Sequence, residues 1–253
     1  MIEVRNLNKA FGEKVVIRDF SFRFEEGKAN LIIGESGTGK SVLVKCMVGL
    51  ITPETGEVLF DGQDFLKMDF DERKVIRQQI GMLFQGAALF DSMSVSENVM
   101  FPLTMFTEMP LKEKQERVRF CLERVNLPGV EKHYPAELSG GMKKRVAIAR
   151  AIALNPKYLF CDEPNSGLDP RTSLLIDDLI KEITEEFNIT TVVITHDMNS
   201  VLEIADNIAF LHKGEKVWEG NRMEILRSRN KELSEFVYAT KILHAFRDQL
   251  EKE

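Results

Sequence analysis

The chain has 253 residues, 43% of them hydrophobic and 29% charged, with a net charge of −6. That is long for one domain, short for two, and apolar enough to bury a sizeable core. The acidic balance argues against a nucleic-acid binder and against anchoring by charge alone to an acidic membrane surface. No apolar run approaches the ~20 residues that span a bilayer. The opening "MIEVRNLNKAF" lacks a basic region followed by an apolar one, so no secretory signal is expected. Cys46, Cys121 and Cys161 are scattered, without a CxxC pair, which predicts buried thiols rather than a metal site.

In chain order, "FSFRF" alternates as a half-buried strand does, and "ANLIIG" reads as a short strand buried on both faces and ending in glycine. "SVLVKCMVGL" then predicts a helix and "GEVLFDGQD" a strand bounded by turn residues. "MLFQ" predicts another strand, with Gln85 at its end. Residues 86–157 read as a helical insert. "SVSENVMFPLTMF" and "LKEKQERVRFCLERVNL" are joined by a proline-containing link, and Val118, Leu122 and Val125 fall at helical spacing. From "YLFCD" onward, strand and helix alternate through "RTSLLIDDLIKEITEEF" and "TTVVITHD", which implies a parallel sheet. "IAFLHKGEKVWEG" predicts a hairpin turning at Lys213-Gly214-Glu215. The tail from Lys231 predicts amphipathic helix, with Leu233, Phe236, Val237, Leu243, Phe246 and Leu250 apolar.

The chemistry concentrates in a few phrases. "GESGTGKS", Gly34 to Ser41, fits the phosphate-binding pattern G-x-x-x-x-G-K-[ST] between a strand and a helix. Backbone N–H groups of Gly34, Glu35, Ser36, Gly37, Thr38 and Gly39 would wrap phosphates, Lys40 would reach the terminal ones, and Ser41 would offer a hydroxyl to Mg²⁺. "YLFCDEP" puts Asp162 at the carboxyl end of a buried strand, where ligands bind in parallel sheets. Asp162 is a candidate Mg²⁺ ligand and Glu163 a candidate general base for a water molecule. His196 ends the neighbouring strand and is a candidate γ-phosphate contact. Gln85 is placed to touch Mg²⁺ or the attacking water. The rival reading of the two carboxylates, as caps of a following turn, loses ground to the glycine loop. A second anion site is predicted at "ELSGGMKKRVAIARA". There Lys143, Lys144 and Arg145 crowd a helix start and are unfavourable beside its positive dipole end unless an anion or acidic side chains offset them.

"GESGTGKS", "LFQ", "LSGGM", "YLFCDEP", "SGLD" and "ITHD" stand in the order of the ATP-binding-cassette (ABC) ATPases, which the chain resembles over roughly residues 1–220. The resemblance implies an α/β fold: a RecA-like P-loop NTPase core with an antiparallel β subdomain and an α-helical subdomain. It implies one such domain over residues 1–230, the helical part at 86–157, and a helical tail at 231–253. It implies ATP and Mg²⁺ as cofactors and a second copy of the chain, paired head to tail. In that pair Ser139, Gly140 and Gly141 would close on ATP held by the other copy, Asp169 would speak across the interface, and Phe11 would stack on adenine; ordinary core packing is the rival reading for Phe11. A separate membrane permease would receive the force, on the cytoplasmic face of the inner membrane, through Leu89, Phe90 and Met93; the alternative is that these three pack inside the insert. Met142 and Asn165 depart from the commoner Gln and Thr. With Met142, "LSGGMKKRVAIARAIAL" and "GEKVWEG" are similar to the ATPases of Mla-type phospholipid transporters, which work with MCE-domain proteins and small accessory subunits. An importer for another cargo such as amino acids, a non-transport ABC ATPase acting on nucleic acid or ribosomes, and a small-molecule P-loop kinase are the rivals.

Overall fold

The computed structural model describes residues 1–239. The chain opens with the hairpin β1 (Ile2–Phe11) and β2 (Lys14–Phe24). The wholly buried β3 (Ala29–Ile33) delivers the chain through the glycine loop into α1 (Lys40–Met47). Then come β4 (Thr55–Phe60) and β5 (Gln63–Asp64). "GEVLFDGQD" is thus a hairpin rather than one strand: Asp61 and Gly62 both take positive φ, 49° and 83°, as a tight two-residue turn requires. β4 pairs with β1, giving an antiparallel sheet of order β2-β1-β4-β5.

The second sheet is assembled from the rest. α2 (Phe70–Gln78) leads to β6 (Ile80–Leu83), and α3 (Val95–Phe106), α4 (Leu111–Arg124) and α5 (Gly140–Ala151) come before β7 (Tyr158–Asp162). There follow α6 (Pro170–Glu186), β8 (Thr190–Thr195), α7 (Met198–Ile204), β9 (Asn207–His212), β10 (Glu215–Gly220), α8 (Arg222–Ile225) and α9 (Lys231–Val237). The order is β10-β9-β3-β8-β7-β6, parallel except for the β9–β10 hairpin, which turns at Lys213-Gly214 as predicted. β6 ends at Leu83, so Gln85 lies two residues beyond its strand.

This sheet separates two hydrophobic cores, because alternate strand residues point to opposite faces. Leu31, Ile33, Leu159, Cys161 and Val193 join the core shared with α3–α7, while Ile32, Tyr158, Phe160, Val192 and Ile194 join the one shared with α1 and the antiparallel sheet. The three thiols are buried as predicted, and burial pushes Cys46 and Cys121 up to about 11 and Cys161 to about 12, so they stay protonated.

α3, α4 and α5 pack on one another as a separate layer. α3 runs on through Pro102. Its buried Asn98 accepts from Phe90 N (2.8 Å) and donates to the carbonyls of Phe90, Met93 and Ser94, pinning the segment before the helix. Within that segment Phe90 is exposed, its ring tilted against Phe101, whereas Leu89 and Met93 are half-buried. α9 docks on its own domain: Leu233 and Val237 are buried, and Phe236 lies 5.3 Å from Phe210, ring centre to ring centre. The apolar tail positions Leu243, Phe246 and Leu250 lie outside the described residues. Among the described residues no helix is long and apolar enough to cross a membrane.

Candidate functional site

The glycine loop sits at the carboxyl end of β3, wedged between β2 and β9. A Cβ on Gly34 would lie 2.2 Å from the Leu211 carbonyl oxygen, and one on Gly39 2.7 Å from Ile17 Cδ1, so only glycine fits at either place. The Lys40 ammonium is buried and donates to the carbonyls of Gly34 (2.7 Å) and Glu35 (2.8 Å). Two of its three N–H bonds thus brace the loop. Burial lowers its pKa, and the charges of Glu163, Asp162 and Glu35 oppose that shift.

The two carboxylates point apart because the backbone turns between them. Asp162 still belongs to β7, and Ser41 Oγ donates to its Oδ1 at 3.3 Å. Burial holds the Asp162 carboxyl above its usual range, opposed first by the Ser41 hydrogen bond. Glu163 takes φ 48°, a left-handed position that a glutamate rarely adopts, while its N–H donates to Ile194 O at 2.9 Å. Its carboxylate therefore turns to His196, with Nδ1 at 2.9 and 3.0 Å, and lies 4.0 Å from Lys40 Nζ. A cleft of about 750 Å³ opens here, lined among others by Glu35, Ser36, Glu163, His196 and Phe236. Among the described residues no group of three or more His, Cys, Asp or Glu side chains could hold a metal by itself. One hydroxyl and one carboxylate side by side suit Mg²⁺, which takes few protein ligands and fills its remaining positions with water and phosphate oxygens.

Other expected residues lie differently. The exposed Gln85 side chain donates to Ser166 Oγ at 3.2 Å. Phe11, 51% exposed at the tip of the first hairpin with Lys9 Nζ 4.9 Å from its ring centre, is not core. Ser139 caps α5, its Oγ accepting from Met142 N. A Cβ on Gly141 would lie 2.5 Å from Thr172 Cγ2, so the starts of α5 and α6 meet. Asp169 caps α6, accepting from Arg171 N and Thr172 N at 3.1 Å; hydrogen bonds, that of the Thr172 side chain foremost, hold its carboxyl below the usual range. Ser139, Gly140 and Gly141 are not among the residues lining the cleft.

Two of the three cations at the start of α5 have partners within the chain. Lys144 is buried and donates to the carbonyls of Gln85 and Glu163, and Arg145 donates to Asn126 O at 3.1 Å. Successive helical residues project ~100° apart, so the adjacent Lys144 and Arg145 meet different carbonyls, a distinction the sequence does not draw.

A buried polar cluster behind the site escaped the sequence reading. Asn165 Nδ2 donates to Ser200 Oγ at 2.9 Å, joining the loop after Glu163 to the helix after His196. Asp177, 1% exposed, sits beside them, and burial pushes its carboxyl up to about 6 against hydrogen bonds from Ser200 and Asn165. Its signal was present: Asp177 falls on the apolar stripe of Ile176, Ile180 and Ile183 along α6.

Residues 17–166 match the ABC transporter family, and the chain belongs to it. It is 39% identical over 237 residues to the intermembrane phospholipid transport system ATP-binding protein MlaF of Haemophilus influenzae, covering 94% of this chain and 90% of that one. It is 40% identical over 229 residues to the methionine import ATP-binding protein MetN 2 of Pseudomonas syringae pv. tomato, covering 89% and 68%. In structure it resembles the ATP-binding cassette MJ0796, solved as a dimer in a post-hydrolysis state bound to ADP and Pi. The TM-score is 0.80 and the identity 34%, over 88% of this chain and 99% of that chain. The chain is therefore an ABC-type ATPase whose hydrolysis of ATP serves transport.

Proposed function

We propose that two copies of this chain, paired head to tail on the cytoplasmic face of a membrane, bind two ATP molecules between them and drive a phospholipid transporter through a separate permease. The observation that carries the catalytic part is the position of the Glu163 carboxylate: within 3.0 Å of His196 Nδ1, 4.0 Å from Lys40 Nζ, and next in sequence to Asp162. Lys40 gives its remaining N–H and its charge to the terminal phosphates. Ser41 and Asp162 hold Mg²⁺, which when bound neutralises charge on the phosphate oxygens. Glu163 takes the proton of the attacking water and His196 orients that carboxylate; Gln85, whose side chain donates to Ser166 Oγ, would exchange that bond to reach the metal or the water. Catalysis is positioning and charge neutralisation, as phosphoryl transfer requires. Phe11, exposed at the tip of a hairpin, stacks on adenine. Ser139, Gly140 and Gly141 supply the opposite wall from the second copy.

Glu163→Gln keeps shape and removes the base. ATP binding is expected to persist, turnover to fall ~10²–10⁴-fold, and a dimer to accumulate with ATP. Wild-type turnover in that variant sinks the assignment.

The cargo reading rests on Met142 in the signature and on the 39% identity to MlaF over nearly the full length of both chains. An MCE-domain protein and small accessory subunits belong to this reading. Amino-acid import is the second reading, favoured by the 40% identity to MetN 2. Reconstitution with a phospholipid-type or a methionine-type permease decides between them: ATP-dependent movement of labelled phospholipid supports the first, and stimulation by methionine with its binding protein supports the second.

A further inference from the structure

Lys144 is 4% exposed and none of the described carboxylates forms an ion pair with it. A buried ammonium without a counter-ion is costly, and hydrophobic side chains fill such places more favourably. Here its acceptors are two backbone carbonyls from different loops: Gln85, just past β6, and Glu163, just past β7, the latter at 3.3 Å. One side chain of α5 thus joins three segments that the proposed mechanism uses: the helix whose first residues are Ser139–Gly141, the Gln85 loop and the peptide of the general base.

The connection is stiff on every side. Six residues along the same helix, Arg150 donates to the carbonyls of Ala88 (2.7 Å) and Ala87 (2.9 Å), residues at φ 49° and 62°. α5 therefore grips the Gln85–Phe90 segment at two points. On the far side, the Glu163 peptide is fixed between Lys144 at its carbonyl and Ile194 O at its N–H, in the left-handed conformation that aims the carboxylate. Rotating α5 by a fraction of a turn moves the Lys144 ammonium and, with it, the peptide that sets the Glu163 side-chain direction.

We infer that Lys144 is a positioning residue: it transmits the placement of α5, set by the second copy's ATP and by whatever presses on Gln85–Phe90, to the backbone of Glu163. The inference rests on the reading of Glu163 as base. The alternative is that Lys144 only satisfies two carbonyls and supports the fold.

The test uses Lys144→Met, which keeps length and loses every donor, and Lys144→Gln, which keeps donors. ATPase kcat and KM are measured in the assembled transporter, and ATP-driven dimerisation in the Glu163→Gln background. Expected for Lys144→Met is a kcat loss of about ten-fold or more with KM within about two-fold. Lys144→Gln should restore part of that kcat, and Lys144→Met combined with Glu163→Gln should still trap the dimer. Wild-type kcat in a folded Lys144→Met protein overturns the inference, as does joint loss of kcat and dimer trapping, which marks a structural role. If Lys144→Met does not fold, Lys144→Gln decides alone: kcat reduced with KM retained supports positioning, and unchanged kcat overturns it. Glu163→Gln by itself separates the two readings, because full turnover there removes the base assignment whatever Lys144 does.

Discussion

Glu163 shows how one backbone angle sends two adjacent carboxylates to two environments. At φ 48° it leaves the strand that still holds Asp162, so one carboxylate faces Ser41 and the next faces His196. Such positions cost of order 1–3 kcal/mol and persist where surrounding bonds enforce them, here the N–H bond to Ile194 and the Lys144 bond to the carbonyl. Asp177 is costly for a different reason. Its carboxyl is raised from 3.8 to about 6 by burial, and its Oδ1 and the Asn165 Oδ1 have no hydrogen-bond partner. A carboxyl whose folded pKa lies above its unfolded one is favoured protonated in the fold. Its stabilising effect is therefore complete below about pH 4 and is lost as pH rises through about 6. Asp177→Asn should thus raise stability by up to roughly 3 kcal/mol at neutral pH, since the new amide can donate to Asn165, and the gain should vanish toward pH 4. Chemical-denaturation midpoints of both proteins at pH 7.5 and pH 4.5 check this; a gain independent of pH refutes it.

Among the elements, α3 and α5 do more than fill the helical layer. They set the shape of the segment between β6 and α3, which has little structure of its own and two non-glycine residues, Ala87 and Ala88, at positive φ. Arg150 from α5 holds its first half and Asn98 from α3 its second, through one accepted and three donated hydrogen bonds. Removing Asn98 strands several buried backbone groups, each worth ~1–3 kcal/mol when unsatisfied. Asn98→Ala is therefore expected to cost roughly 2–4 kcal/mol and to raise amide hydrogen exchange in residues 87–94 ahead of the rest of the chain. Uniform exchange across the domain counts against this account. The helices themselves were legible from apolar spacing, whereas these cross-links were not: an asparagine or arginine in a helix reads as a solvated residue until its neighbours are known.

For the whole molecule, Ser139–Gly141 do not line the cleft that holds Glu163 and His196. They sit instead where the starts of α5 and α6 meet, beside Thr172. In the proposed head-to-tail pair there are two composite sites, each with a glycine loop from one copy and a signature from the other. Lys40→Ala and Ser139→Arg proteins should each be inactive alone in the transporter. Mixed, they form a heterodimer with one wholly intact site, and ATPase activity should reappear. No recovery on mixing, with heterodimers demonstrated, refutes the composite site.

The sequence by itself picked out the phosphate loop, the Asp162-Glu163 pair and His196 as candidates, and the alternation of strand and helix from Tyr158 onward. Each of these rests on local chemistry: glycine where backbone must approach a ligand, apolar runs ending in a charged residue, periodicity of 2 or 3.6. It also contained the family, through the order of its motifs. Only the tertiary structure decided which of three adjacent cations is buried, where the Gln85 side chain goes, that "GEVLFDGQD" folds back on itself, and that Asp177 lies behind the site. Those outcomes depend on which segments distant in sequence arrive at the same place, and the direction of a side chain on a helix has no meaning until something packs against it.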